Sequence, residues 1–550
     1  MTKPAGVTRI LIAHFFRRFF DNDTVQVDGD TQTTVARAVA VVAVPGMMFA
    51  FFLQNRYPRR AMWDAIGDRY FFVLFSFIVL GAVSIFEWQM LFPDRLDFLV
   101  LSPLPLRPIQ LLSAKAAALI AFLGVFLFGS NAFGVIMLPA VSEGNFFRQI
   151  YAQAIAVVMA GAFAALFFLA IGSVLLCVLD SARFRIASPV LQIVSTTALV
   201  LLILLYILYG SSTQALLSPP LAGAHYLPPL WFLGIYERLL LGSAAPPFAN
   251  EMARYAVRAT ATAAAIVVLT YPLAWTRTRR MAIEGSSSRH RQAPRWVIKL
   301  LQAIVRQPSQ RAVFHFIGKT IVRNSSYQVY LAMYCGTGLA LALACALRLH
   351  TDHGMAHVSL SQRGLHAILP LLLFWLVAGL RTAFAFPLNL SAGWVFRVTG
   401  AVVAGCAAAA RKWVLMCAAG VMSCVVIGLR IAGWDGRNLA VQVVCGVCLC
   451  VFLSDGFFSL LQSVPFSQPR MPGRTSFPLM LTLFVGPFPV FVLWVVHLEM
   501  QLERRPIRLL ILCLITAVIH AALGALRRSS EEVEEEMEGY EGEFQLLGLS

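Results

Sequence analysis

The chain has 550 residues, 59% of them hydrophobic and 13% charged, with a mean hydropathy of +0.74. That balance excludes a soluble globular domain, in which about 25% of residues are charged, and describes a polytopic membrane protein. The formal charge of +17 is spread over the connections between apolar runs. Topogenesis and contact with anionic lipid explain such a distribution better than nucleic-acid binding does.

Crossing ~30 Å of hydrocarbon takes roughly 20 apolar residues per helix. The chain opens on a basic amphipathic segment, RILIAHFFRRFF, with Arg9, Arg17 and Arg18, which suits a helix lying in the membrane surface. Apolar runs follow at 35–53 and 70–92. Next comes LFPDRLDFLVLSPLPLRPIQLLSAK, residues 91–115, charged and broken by proline. Further runs cover 109–138, 152–179 and 189–209. The stretch 222–241 contains YLPPLWFLGIYERLL, which is aromatic and too short to cross, and the sixth run is 255–275.

A linker at 276–326 carries eleven Lys and Arg within 276–324 and a second amphipathic segment, RAVFHFIGKTIVR, that includes Lys319. The second set of runs covers 327–347, 365–386, 413–431, 439–461, 477–496 and 509–526. The tail holds eight glutamates within 531–543 and is expected to stay disordered and solvated. None of the runs alternates with the period of a membrane barrel, so helices are expected.

The expected fold is therefore all-α, with about twelve transmembrane helices as two pseudo-repeated six-helix bundles. Its parts are an N-terminal segment with an interface helix (1–34), a first half (35–275), the basic linker with a second interface helix (276–326), a second half (327–526) and the acidic tail (527–550). The repeat rests on order and spacing. Phe92-Pro93 and Phe386-Pro387 each close a second span, 294 residues apart, and each opens a polar-apolar connection.

Positive charge in short connections sets orientation, so the linker and both termini are expected in the cytoplasm. The loop 55–69 departs from the rule, because Arg56, Arg59, Arg60 and Arg69 fall outside in this scheme. The first long apolar run lies behind a polar segment, so no cleavable signal peptide is read. Of ten cysteines nine lie in the second half, and CGVCLC at 445–450 sits within one run, where cysteine acts as a small apolar residue.

The layout resembles the permease subunit of a type-2 ABC exporter. Such permeases have an N-terminal interface helix, six spans, a coupling helix between spans two and three, and short outside helices between spans five and six. The resemblance implies two such units fused in one chain. It places the ATPase-coupling surface on Asp94, Arg95, Asp97, Ser102, Pro103, Arg107 and Lys115, with Arg397 in the second coupling segment FPLNLSAGWVFRVTG. Arg9, Arg17, Arg18 and Lys319 would belong to the interface helices, and Pro228, Pro229, Trp231 and Glu237 to an external gate.

It further implies the bacterial cytoplasmic (inner) membrane, a separate cytoplasmic ATPase subunit that binds ATP and Mg, and no cofactor on this chain. Gly318-Lys319-Thr320 ends like a phosphate-binding loop, but Val313 stands where the first glycine is needed. The expected role is transport and not catalysis, with membrane lipids, the ATPase and an unidentified lipophilic or amphipathic substrate as partners, and no nucleic acid.

Ionisable residues inside spans cost about 3 kcal/mol each on insertion scales, so Glu87, Arg381 and Asp455 are candidates for function. Arg381 is expected to pair with Glu87 or Asp455; the plain alternative is a local partner or snorkelling. Asp352, His353 and His357 are weak metal candidates, and no metal site is assigned. The rival reading for the whole chain is an ion-coupled secondary transporter with twelve helices.

Overall fold

The computed structural model describes residues 4–20, 31–57, 59–88, 91–92, 100–101, 104–209, 217, 224–284, 305–352, 355–385, 403–458, 465–466, 486, 488–504 and 507–546. Among them are 15 α-helices and one two-stranded hairpin, and the protein is an all-α polytopic membrane protein. Ten helices are long and apolar enough to cross a bilayer, and two shorter apolar helices, Val39–Gln54 and Phe488–Leu502, complete the expected twelve. Apolar side chains such as Phe51, Phe128, Leu208, Val268 and Leu510 are exposed on these helices, as a lipid-facing surface requires.

The chain divides into two compact units, one of Met1–Arg289 and Arg348–Ser359, the other of His290–Leu347 and Leu360–Ser550. The first contains α1 (Pro4–Phe20), α2 (Thr31–Gln54), α3 (Met62–Phe86), α4 (Pro108–Val141), α5 (Phe146–Val178), α6 (Ser181–Tyr209), α7 (Pro228–Leu241) and α8 (Pro247–Glu284). Its centre is α5, where Ala152, Ala156, Ala160 and Ala164 recur every four residues and are completely buried. Small residues at that spacing let helix backbones approach closely, and α3 and α8 pack against α5. Ser76 on α3 donates to the Val157 carbonyl at 2.8 Å, and Asn131 on α4 donates to Ser76 at 3.1 Å.

The second unit contains α9 (Pro308–Arg323), α10 (Ser325–Ala346), α11 (Gln362–Ala385), α12 (Val403–Ile431), α13 (Gly436–Phe458), α14 (Phe488–Arg504) and α15 (Ile507–Leu546). A hairpin, β1 (Leu347–Asp352) and β2 (Met355–Leu360), connects α10 to α11. Those two helices meet glycine to aromatic. A Cβ on Gly338 would lie 2.8 Å from the Trp375 Cβ, and one on Gly379 would lie 2.7 Å from the Tyr334 Cβ.

The same pairings recur in both units. The second span packs on the third, fourth and fifth (α3 on α4, α5 and α6; α11 on α12, α13 and α14), and the fourth packs on the third, fifth and sixth (α5 on α4, α6 and α8; α13 on α12, α14 and α15). Each surface helix lies on the third span of its own unit, α1 on α4 and α9 on α12. The first spans differ, for α2 packs chiefly on α4 whereas α10 packs chiefly on α11.

Three sequence expectations change. The second span begins earlier than 70, at Met62, and ends at Phe86, so Glu87 is the residue after the helix instead of a charge within it. The eleventh runs from Phe488 to Arg504 and takes in most of the expected link at 497–508; residues 477–485 lie outside the described residues. The acidic tail, expected disordered, continues α15 as helix to Leu546. Alternation of apolar and charged residues along a continuous run does not itself stop a helix, and Glu is a good helix former.

Candidate functional site

In the first unit, α1 turns one face inward. Leu11, Phe15, Phe19 and Phe20 are buried at helical spacing, while Arg9 and Arg17 stay exposed and Arg18 is half-buried. The buried face packs with Leu91, Phe92 and Leu101, with Ala114, Ala118, Leu119 and Phe122 of α4, and with Tyr271 and Ala274 of α8. Phe19 stacks on Phe122 with centroids 4.9 Å apart. Each buried Leu or Phe contributes about 1.5–3 kcal/mol relative to exposure in water. The interface helix is thus fixed to the flanks of the 91–115 segment.

Two side chains hold the backbone where that segment leaves the membrane-spanning helix. The Tyr271 hydroxyl donates to the Leu91 carbonyl at 2.9 Å, and the Lys115 ammonium donates to the Phe92 carbonyl at 2.9 Å. Lys115 is 4% exposed and sits 5.6 Å from the centre of the Phe15 ring, so it is a buried tether and offers no docking surface. Phe92 and Trp88 lie against Gly172 of α5, where an added Cβ would stand 3.0 Å and 3.3 Å from their rings. Glu87 is buried beside them at the end of α3.

Nearby, Arg277 of α8 donates to the carbonyls of Cys177 and of Leu179 (3.0 Å) and lies 3.7 Å from Asp180. These carbonyls close α5, so the cation caps that helix and complements its dipole. Arg107 is exposed at the start of α4, its N–H bonded to Gln110 at 3.1 Å. Asp94, Arg95, Asp97, Ser102, Pro103 and Arg397 lie outside the described residues.

The stretch expected to form a gate is α7, a 14-residue helix reversed onto α8 through Gly242, whose φ of +61° is in the left-handed region that favours glycine. Pro228 and Pro229 open the helix, as the fixed φ of proline allows. Gly234 lets it pack on α8, since a Cβ there would stand 2.9 Å from the Ala249 carbonyl oxygen. Trp231 donates to the His225 carbonyl at 3.2 Å.

Glu237 is completely buried and accepts twice from Arg69 of α3, at 3.0 and 3.1 Å. Burial pushes its carboxyl up and Arg69 pulls it back down. One residue earlier on α3, Asp68 accepts from Arg60 at 2.8 and 2.9 Å and from the Tyr57 hydroxyl at 3.0 Å. Burial and the neighbouring Asp68 raise the Tyr57 hydroxyl's pKa. The arginines that broke the positive-inside pattern are therefore partly consumed by carboxylates. Neutralised pairs also explain why α3 starts eight residues before the apolar run.

In the second unit, α9 buries Val313, Phe314, Ile317 and Ile321 and exposes Lys319. Gly318, Lys319 and Thr320 lie within this helix, so their backbone groups are engaged in helical bonding and form no phosphate-cradling loop. Arg381 donates to the Phe457 carbonyl at 2.9 Å in place of the expected carboxylate, and its buried Nη1 has no partner among the described residues. Asp455 instead meets His520 of α15 at 2.5 Å and Arg411 of α12 at 3.7 Å. A second carboxylate–imidazole contact, Glu499 of α14 with His366 of α11 at 3.0 Å, is buried beside Trp434. Gln442 of α13 is completely buried, and neither amide atom has a partner among the described residues.

Sequence reasoning missed Tyr271, Arg277, His366 and Glu499. The surplus of arginine in 55–69 was the available signal for Glu237 as a counter-charge; the partners 168 residues apart carry no local pattern. No group of three or more metal-ligating side chains is found among the described residues, and His353 lies outside them. Compared with known proteins, the chain matches no family model, no curated protein and no solved structure.

Proposed function

We propose that this chain is the permease of an ATP-driven export system of the type-2 ABC class, two six-helix halves fused, which moves a lipophilic or amphipathic substrate with a separate cytoplasmic ATPase. The observation that carries the reading is the anchoring of the 91–101 flanks: α1, α4, α5 and α8 meet there around Leu91 and Phe92, with Tyr271 and Lys115 holding consecutive carbonyls. A segment so held transmits a push to spans instead of absorbing it by bending. The α7–α8 hairpin, locked to α3 through Arg69 and Glu237, would sit at the opposite ends of the same spans and close the exit. The recurring pairings of spans support internal duplication.

In this reading both termini and the basic linker face the cytoplasm of a bacterial inner membrane. The test is purification of the tagged chain in mild detergent, with mass spectrometry of what accompanies it. A stoichiometric ATP-binding subunit with vanadate-sensitive ATPase activity is expected.

A second reading, an ion-coupled secondary transporter, draws support from Asp455 with His520 and Glu499 with His366, because imidazole–carboxylate pairs inside spans suit proton relays. It predicts no co-purifying ATPase, and transport in vesicles driven by a pH gradient alone.

A further inference from the structure

Three arginines of the first unit cluster along one groove and take part in none of the ion pairs found among the described residues. Arg238 of α7 and Arg254 and Arg258 of α8 are exposed, and none bonds to a carboxylate or a carbonyl among the described residues. They border a groove of about 550 Å³ whose apolar wall is Ile155 and Met159 of α5, Ile235 and Leu239 of α7, and Ala253 and Val257 of α8. Such clustering is not the ordinary surface charge of the basic linker, since these residues stand at the other end of α8. From Arg258 to Trp275 is 17 residues of helix, or ~26 Å at 1.5 Å per residue, close to the ~30 Å thickness of the hydrocarbon. The cations therefore lie at headgroup depth in the leaflet opposite the linker, and the groove runs past them among apolar side chains.

Arg148 shows what an arginine does here when the protein supplies a partner, because it donates to the Leu239 carbonyl at 3.1 Å. The three others have no such acceptor. An occupant must bring compact negative charge that three guanidinium groups can share, and an apolar chain that replaces lipid on the groove wall.

We propose that the groove binds one anionic phospholipid of that leaflet, its phosphate among Arg238, Arg254 and Arg258 and an acyl chain along Ile235, Leu239 and Met159. The site is distinct from the candidate coupling segment and stands whether or not the chain proves to be an ATP-driven exporter. Bound there, the lipid would bridge α7 to α8 and α5, and so brace the re-entrant hairpin.

The test uses the full chain reconstituted in phosphatidylcholine nanodiscs containing phosphatidylglycerol, released into mild detergent and weighed by native mass spectrometry. The wild type should keep one phosphatidylglycerol in preference to phosphatidylcholine. Arg254→Ala with Arg258→Ala should weaken retention roughly 30-fold, from about fivefold per cation at a membrane surface. Val257→Trp keeps every charge but fills the groove, and should weaken retention roughly tenfold, the equivalent of two buried methylenes. Arg59→Ala, an exposed cation in the 55–61 loop, should leave retention within twofold.

Equal retention by the double variant overturns the proposal. So does an unchanged Val257→Trp variant, which would reduce the effect to diffuse charge. A double variant that alters the number of chains or proteins in the particle and leaves lipid unchanged would assign the groove to a protein partner and also overturn it.

Discussion

Apart from their first spans, the two units bring together the same pairs of helices and place different polar chemistry between them. In the first, buried polar groups are tethers: Tyr271 and Lys115 on backbone carbonyls, Arg277 on the end of α5, Arg69 on Glu237. In the second, carboxylates meet imidazoles between spans, Glu499 with His366 and Asp455 with His520. The contrast teaches that one helix-packing plan accepts two kinds of polar contact: side chains that hold backbone carbonyls, with a buried arginine–glutamate pair, in one half, and imidazoles on carboxylates in the other.

The sharpest way to break the contrast is to remove Glu237. Glu237→Ala leaves Arg69 buried without its carboxylate and should cost about 3–5 kcal/mol, read as a loss of thermal stability in detergent. Arg69→Met combined with Glu237→Leu should recover more than half of it, because apolar replacement removes both desolvation penalties. Next in size, Lys115→Met and Tyr271→Phe each orphan a carbonyl at the 91–92 bend, for about 1–3 kcal/mol. Hydrogen exchange around 88–101 should rise in both variants, while exchange in α11 to α13 stays as in the wild type.

Gly172→Val should cost about 1–3 kcal/mol by crowding Phe92 and Trp88, and should loosen the same segment. In the second unit, Asp455→Asn should lower stability by a comparable or smaller amount, since its partner His520 is 57% exposed. A drop as large as that of Glu237→Ala would erase the distinction between the units. The mildest probe changes no residue. Cys448 and Cys513 lie 3.8 Å apart at their sulfurs, seven residues before Asp455 and His520 on the same two helices. A mild oxidant should join them within the chain, as peptide mass spectrometry would show. Failure to join would contradict the register of α13 on α15.

Hydropathy made the twelve apolar helices legible, because a bilayer leaves few ways to satisfy a backbone. The interface helices were legible for a related reason: alternate faces of 9–20 and 311–323 carry apolar residues and cations. Boundaries were less so. Arg60, Asp68, Arg69 and Glu237 cancel one another's charge, and a window that counts each as exposed starts the helix too late. The family resemblance placed Lys115 on the coupling surface, yet its four-carbon stem lets it reach inward to Phe92. Arg381 was expected to seek a carboxylate and bonds the carbonyl of Phe457, 76 residues further along the chain. Such pairings depend on how helices settle against each other, which local composition does not encode.

The central claim is that the 91–115 region meets a motor subunit. Leu104, within that region, is 48% exposed, whereas Phe147 is 80% exposed at the start of α5, at the other end of the same unit. A photo-crosslinking amino acid placed at each position in turn, in intact cells, separates the possibilities. The account predicts that position 104 captures an ATP-binding subunit and position 147 does not. Capture at neither position, or equal capture at both, would contradict it.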